Sequence, residues 1–187
     1  MEEKLETSLR IAIRFLEEHG YRYAIVGGIA LAHWGVVRMT QDVDIKVLVP
    51  DYDYNAFRSA LQKAFPELAL QQPPTNPLIM TMTMNDVIVD FLLAIPGYEE
   101  LIIVRAIMRN LDDFQAWICS AEDLIIQKVV AGRGKDWLDV EELLIEQWGK
   151  LNEVYVQDWL GQFAEALETP EMLSKYERLR DRIALLF

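Results

Sequence analysis

Residues 23–49 read YAIVGGIALAHWGVVRMTQDVDIKVLV. Tyr23–Val26 is a short apolar strand, Gly27-Gly28 makes a sharp turn with a backbone bare of side chains, and Ile29–Trp34 continues as a helix that ends near Gly35. A second strand runs from Asp42 to Val49 and is closed by Pro50. Strand residues two apart point the same way, so Asp42 and Asp44 project together at roughly 7 Å along the strand while Val43 and Ile45 face the core. Two carboxylates in an otherwise apolar strand are costly on a dry face, so that face is either solvated or binds cations.

A third carboxylate follows. The segments 77–84 and 87–93 are expected to pair as a hairpin across Asn85-Asp86, and in the second arm, VIVDFLLA, Asp90 is the only polar residue. It shares a face with Ile88 and Leu92, opposite Val89 and Phe91. A lone acid there needs a partner. A metal ion shared with Asp42 and Asp44 satisfies it most economically, and an arginine such as Arg38 or Arg105 is the alternative. The Gly27-Gly28 turn at the start of a helix offers backbone N–H groups that suit phosphate oxygens, although such turns are more often purely structural.

Around this centre, Leu5, Leu9, Ala12 and Leu16 mark an amphipathic helix over 2–18 that stops at His19-Gly20. A further helix is expected over 51–65, capped by Asp51 or Asp53, then a loop through Pro66 and QQPPTNP at 71–77. The stretch 99–108 is apolar, with Arg105 and Arg109 on its polar side, and Phe114–Ile118 is expected to be the last strand. Ser120-Ala121-Glu122-Asp123 has the form of a capping box and opens a run of helices. In the first of these, Lys128 lies among Leu124, Ile125, Val129 and Val130, where a lysine either snorkels or neutralises an acid or a phosphate. Asp136 and Asp139 adjoin at the start of the next, a position that the helix dipole also favours for acids. Two more helices are expected over 152–167 and 172–186. The organisation is a core over 1–119 and a C-terminal helical region over 120–187 packed on it.

The chain has 187 residues, 52% hydrophobic and 26% charged, which suits a globular protein with a real core. One cysteine, Cys119, excludes a disulfide framework, and with two histidines the usual zinc sites are excluded too. Acids at the N-terminus and the lack of an apolar run near 20 residues argue against a signal peptide or a membrane span, and point to the cytoplasm. The net charge of −12 argues against sequence-independent nucleic-acid binding, which requires a clustered basic surface.

The strand, the GG-x-A-x-x-x-x-G turn over 27–35, the D-x-D pair and the later strand aspartate together resemble the polymerase-beta-like nucleotidyltransferase superfamily. More narrowly, RMTQDVDIKV at 38–47 with SAEDLIIQKVVAGRGKDWLDVEELL at 120–144 is similar to its AbiEii/AbiGii branch, which includes toxins of toxin–antitoxin and phage-defence systems. The resemblance runs from about Tyr23 to Leu144. It implies an α+β fold with a mixed sheet flanked by helices, followed by a C-terminal helical region.

It also implies two Mg²⁺ ions held by Asp42, Asp44 and Asp90, an NTP substrate, and transfer of NMP to an acceptor hydroxyl with release of pyrophosphate. Lys128 matches the family's lysine near the triphosphate and joins the three aspartates as a catalytic candidate. Asp136 and Asp139 match its KDxxD acids, and the nucleotide-binding set is Gly27, Gly28, Arg38, Thr40, Lys128, Asp136 and Asp139. Many superfamily members carry Gly-Ser where this chain has Gly27-Gly28, so phosphate binding falls to N–H groups and to side chains such as Arg38 or Thr40. The toxin branch implies RNA, such as a tRNA 3′ end, as acceptor and an antitoxin as partner. The competing expectations are a small antibiotic acceptor, such as an aminoglycoside or lincosamide, and a non-catalytic nucleotide-binding or interaction module.

Overall fold

The computed structural model describes residues 2–68, 76–111 and 113–187. The described residues form two compact units, one from 2–30 and 39–119, the other from 31–38 and 120–187. Residues 71–75 of the expected 71–77 loop lie outside the described residues. Among the described residues no helix is long and apolar enough to cross a membrane.

The first unit is an α+β arrangement around one mixed sheet. Its strands are β1 (Arg22–Ile25), β2 (Asp42–Leu48), β3 (Ile79–Met84), β4 (Val87–Leu93), β5 (Ile107–Leu111) and β6 (Phe114–Ile118), in the order β3-β4-β2-β1-β6-β5. Strands β2 and β4 run parallel, as do β1 and β6, and the remaining neighbours are antiparallel. The β3–β4 hairpin turns on Asn85 and Asp86, both at positive φ (50° and 65°), the conformation a two-residue hairpin loop requires.

Period-two alternation sorts the faces. Val43, Ile45 and Val47 of β2 and Val89 and Phe91 of β4 are buried on the side covered by α1 (Glu3–Glu18). Phe15 of α1 and Phe57 of α3 (Tyr54–Ala64) meet the Phe91 ring in edge-on contacts, with centroids 6.3 and 5.8 Å away. On the other side Asp42 is exposed, Asp44 half-buried and Lys46 buried. Lys46 is covered because α4 (Tyr98–Val104) packs over β1 and β2, and Glu99 at its first turn accepts from Lys46 Nζ at 2.6 Å. The aspartate end of β2 therefore lies towards solvent.

Two expectations are refined. Asp53, not Asp51, caps α3, accepting from the Ala56 N–H at 2.9 Å, because Asp51 sits in a 3-10 turn over Pro50–Tyr52 at φ 52°. The apolar stretch 99–108, given no element from the sequence, divides between a helix and a strand. Helix α4 stops at Val104, and Ile107–Leu111 becomes a strand because Phe114–Ile118 offers it antiparallel partners. Tertiary pairing here overrides a five-residue signal that is weak alone.

The second unit holds the last residues of α2 (Gly27–His33), the segment to Arg38, and four helices: α5 (Ala121–Ala131), α6 (Gly134–Glu146), α7 (Glu153–Ala166) and α8 (Glu171–Ala184). Ser120 caps α5, its Oγ accepting from the Asp123 N–H at 3.1 Å, and Gly132 ends it at φ 65°. Helix α5 packs on α6 and α7, and α8 packs on α6 and α7. Tyr176 of α8, fully buried, donates to Glu153 at 3.0 Å, and burial together with that carboxylate pushes its phenol far up.

Candidate active site

The centre of the sheet brings the three aspartates onto one face. Asp44 of β2 and Asp90 of β4 are direct partners across parallel strands, and Asp42 stands two residues back from Asp44 on the same side. Adjacent strands lie about 4.8 Å apart, so the two in-register carboxylates start from backbones closer together than Asp42 and Asp44 are along their strand. Register, more than sequence spacing, brings the three carboxylates onto one part of the face.

Two hydroxyls orient it. Thr81 of β3 lies opposite Asp90 and donates to its Oδ1 at 2.5 Å. Thr40, just ahead of β2, donates to Asp42 Oδ1 at 2.9 Å. Thr81 was not among the expected site residues, but it was within reach of sequence reasoning. The Asn85-Asp86 turn fixes the hairpin register, and counting outward from it pairs Thr81 with Asp90.

The glycine turn presses on this cluster. The Val26 N–H still donates to the Asp44 carbonyl at 3.0 Å, carrying β1–β2 pairing into the turn. Gly27 follows at φ +62°, and a β-carbon there would lie 2.8 Å from Asp44 Cγ. A β-carbon on Gly28 would lie 2.6 Å from Thr40 Cβ. Both glycines are required by close approach, Gly27 also by backbone conformation. Backbone from the turn thus touches both the carboxylate of one expected ligand and the threonine that orients another.

The donor set is three carboxylates with supporting hydroxyls, all hard oxygen, which fits Mg²⁺. Among the described residues no three Asp, Glu, His or Cys side chains converge into a finished cage, so the fit is one of chemistry and placement rather than of rotamers. In both hydroxyl contacts the oxygen engaged is Oδ1.

The remaining expected residues, Arg38, Lys128, Asp136 and Asp139, form a network inside the second unit. Lys128 Nζ lies 2.6 Å from Asp139 Oδ2 and 3.6 Å from Asp136 Oδ1. Arg38 Nη1 straddles the same Asp139 carboxylate, at 2.9 and 2.8 Å from its two oxygens. Arg133, a residue the sequence reading passed over, donates to both oxygens of Asp136 at 2.6 and 3.1 Å. Asp136 and Asp139 are 0% and 4% exposed, so these are buried charges satisfied by three cations. Burial pushes the Asp136 carboxyl up, but hydrogen bonding and charge from Arg133, with the charge of Lys128, outweigh it and hold the group below its ordinary value. Of the options open to Lys128, it neutralises acids. Arg38, offered as a partner for Asp90, pairs instead with Asp139.

Solved structures share this fold. An antigenic nucleotidyltransferase-like protein from Paracoccidioides brasiliensis matches with TM-score 0.60 at 17% identity, over 92% of this chain and 93% of its own. The antibiotic-resistance factor ANT(2'')-Ia in solution matches with TM-score 0.61 at 15% identity, over 89% and 96%. Its crystal structure with adenylyl-2''-tobramycin matches with TM-score 0.58 at 14% identity, over 86% and 99%. No curated protein matches. At the level of sequence, residues 7–184 match the family described as nucleotidyltransferase of unknown function (DUF6036), which spans the aspartate face, the glycine turn and the helical unit alike, and the chain belongs to that family.

Proposed function

We propose that this protein is a Mg²⁺-dependent nucleotidyltransferase that moves NMP from an NTP to an acceptor hydroxyl and releases pyrophosphate. The observation that carries the reading is the register of Asp44 with Asp90 on adjacent parallel strands, with Asp42 on the same face and Asp44 against the side-chain-free glycine turn. Asp42, Asp44 and Asp90 would hold two ions, which when bound neutralise phosphate charge and activate the acceptor oxygen. The protein's own part is positioning. Thr81 fixes the Asp90 carboxylate, Thr40 fixes that of Asp42, and Gly27 and Gly28 let Asp44 and Thr40 pack directly against the backbone of the turn.

The resemblance assigns Arg38 and Lys128 to the nucleotide's phosphates. The ion network supports a positioning role for the KDxxD acids, since one Asp139 carboxylate aligns both cations and Asp136 steadies Lys128. The same resemblance, in the DVD and KDWLD segments, supports the AbiEii/AbiGii-like assignment, with an RNA 3′ end as acceptor and an antitoxin as partner. An antibiotic acceptor is the competing outcome.

The test is a thermal-shift titration followed by label transfer. Mg-NTP together should raise Tm more than NTP or Mg²⁺ alone. Incubation with α-labelled NTP and total RNA, or with aminoglycosides and lincosamides, should then label one acceptor class. Tight Mg-NTP binding without label transfer to any acceptor would favour a non-catalytic module, and absence of Mg-dependent NTP binding would overturn the reading.

A further inference from the structure

The net charge of −12 conceals a local reversal. Residues 120–187 contain eight Lys and Arg against fourteen Asp and Glu, but four of the eight, Lys175, Arg178, Arg180 and Arg182, fall within one stretch of α8 where only Glu177 and Asp181 oppose them. Arg180 is engaged by Asp181 at 2.7 Å. The other three lie at spacings of three and four, which places them on one helical face.

That face borders a cavity of about 380 Å³ between α8 and α6, within the range of ligand pockets. Opposite the cations, α6 contributes Trp137, Leu138 and Glu141. Leu138 is 64% exposed, an apolar side chain that the helical core does not use. Lys175 Nζ sits 3.9 Å over the centre of the Trp137 ring, so the indole face is already a stacking platform with a charge on it. Among the described residues Glu141 is the only carboxylate lining the groove, and it pairs with Arg182 at 2.9 Å, leaving the lining with a net positive charge.

We propose that this α6–α8 groove is a binding site for single-stranded nucleic acid. An aromatic platform with apolar surface beside it and a row of cations matches the alternation of base and phosphate along an unpaired strand. A base stacks on Trp137 by displacing Lys175, which then joins Arg178 and Arg182 on the backbone. The row from Lys175 to Arg182 is about 10 Å long, room for two or three phosphates. A duplex offers no exposed base faces and gains only the charge contribution. The groove lies wholly within the helical unit, and the proposal does not rest on the transferase reading.

The experiment is fluorescence anisotropy on the full chain without NTP or divalent ions, using labelled ten-nucleotide mixed-sequence RNA and DNA single strands, with a duplex, ATP and inorganic phosphate as competitors. Single strands should bind, RNA and DNA arms showing whether the sugar matters, with a log–log salt slope of about −2. Lys175→Glu with Arg178→Glu should weaken binding at least tenfold, and Trp137→Leu should weaken it while leaving the salt slope unchanged. Lys63→Glu with Lys150→Glu, an equal charge change elsewhere, should have little effect. Melting curves identify misfolded variants, and Lys175→Gln with Arg178→Gln provides a milder substitute. Absence of saturable strand binding below about 10⁻⁴ M overturns the proposal, as does binding that survives the α8 reversal or is shared equally by the duplex. Displacement of the labelled strand by an equal concentration of phosphate or ATP also overturns it, and marks a small-anion site instead.

Discussion

The side chain of Thr40 fills the space that a β-carbon on Gly28 would need, its own Cβ lying 2.6 Å from that position. A hydroxyl thus stands beside the glycine pair, on the loop that enters β2, where it donates to Asp42 at 2.9 Å. Gly28→Ala should destabilise the protein by about 1–3 kcal/mol through overpacking. Thr40→Gly should relieve most of that cost, whereas Thr40→Ala, which keeps the offending β-carbon, should not. Urea unfolding of the wild type, the three single variants and the two doubles with Gly28→Ala completes two double-mutant cycles, and additive effects in the Thr40→Gly cycle would refute the coupling.

Asp42→Asn and Asp44→Asn should abolish nucleotide transfer while leaving the melting temperature near or above that of the wild type. Each removes a negative charge from a crowded face without removing volume. Wild-type turnover in either variant would refute the ligand assignment, and a large fall in Tm would show that the carboxylates are structural.

Thr81→Val keeps the shape of the side chain and deletes the hydroxyl that donates to Asp90. Groups that orient a metal ligand typically contribute 10–100-fold in affinity or activity, so the apparent Mg²⁺ requirement should rise by about that factor. The readout is the Mg²⁺ dependence of NTP-induced stabilisation. An unchanged midpoint would mean that Asp90 needs no such anchor.

Much of this site was legible because strand periodicity is simple. Residues two apart share a face, which places Asp42 with Asp44 and Asp90 with Ile88 and Leu92 from the sequence alone. Chemistry and the family resemblance joined Asp90 to Asp42 and Asp44, but the register that pairs the strands was not legible. Strands β2 and β4 are parallel, and no tight turn fixes their register, so the pairing of Asp44 with Asp90 emerges only from the assembled sheet. Thr81 was countable, because a two-residue turn sets its register, whereas β5 was hidden in five residues that gain strand character only from β6. The pairing of Arg38 with Asp139 joins residues 101 apart, and with 18 basic and 30 acidic side chains no local rule selects that partner.

Asp139→Ala should be among the most damaging single changes in the helical unit. It leaves Lys128, whose side chain is 11% exposed, without its nearest counter-charge, and removal of one partner from a buried pair costs about 3–5 kcal/mol. Replacing both, as Lys128→Met with Asp139→Leu, should recover most of the loss, since Arg38 is 36% exposed and can turn to water. Urea unfolding distinguishes the two cases, and equal destabilisation by single and double variants would show that volume rather than charge dominates.

The Asp136 carboxyl is held below its ordinary value of 3.8, burial opposing and Arg133 and Lys128 favouring the ionised form. A carboxyl whose folded value is depressed contributes stability that is fully present above its unfolded value and is lost as pH falls through the folded one. Asp136→Asn removes that contribution at neutral pH and leaves Arg133 and Lys128 with a weaker acceptor. The gap in unfolding free energy between wild type and Asp136→Asn should therefore be constant from about pH 7 down to about pH 5 and shrink as the pH approaches 3. Urea unfolding across that range, at each pH where both proteins fold, measures it. A gap that stays constant to the acid end would mean that the variant acts by shape, and that ionisation of Asp136 contributes nothing to holding α5 and α6 together.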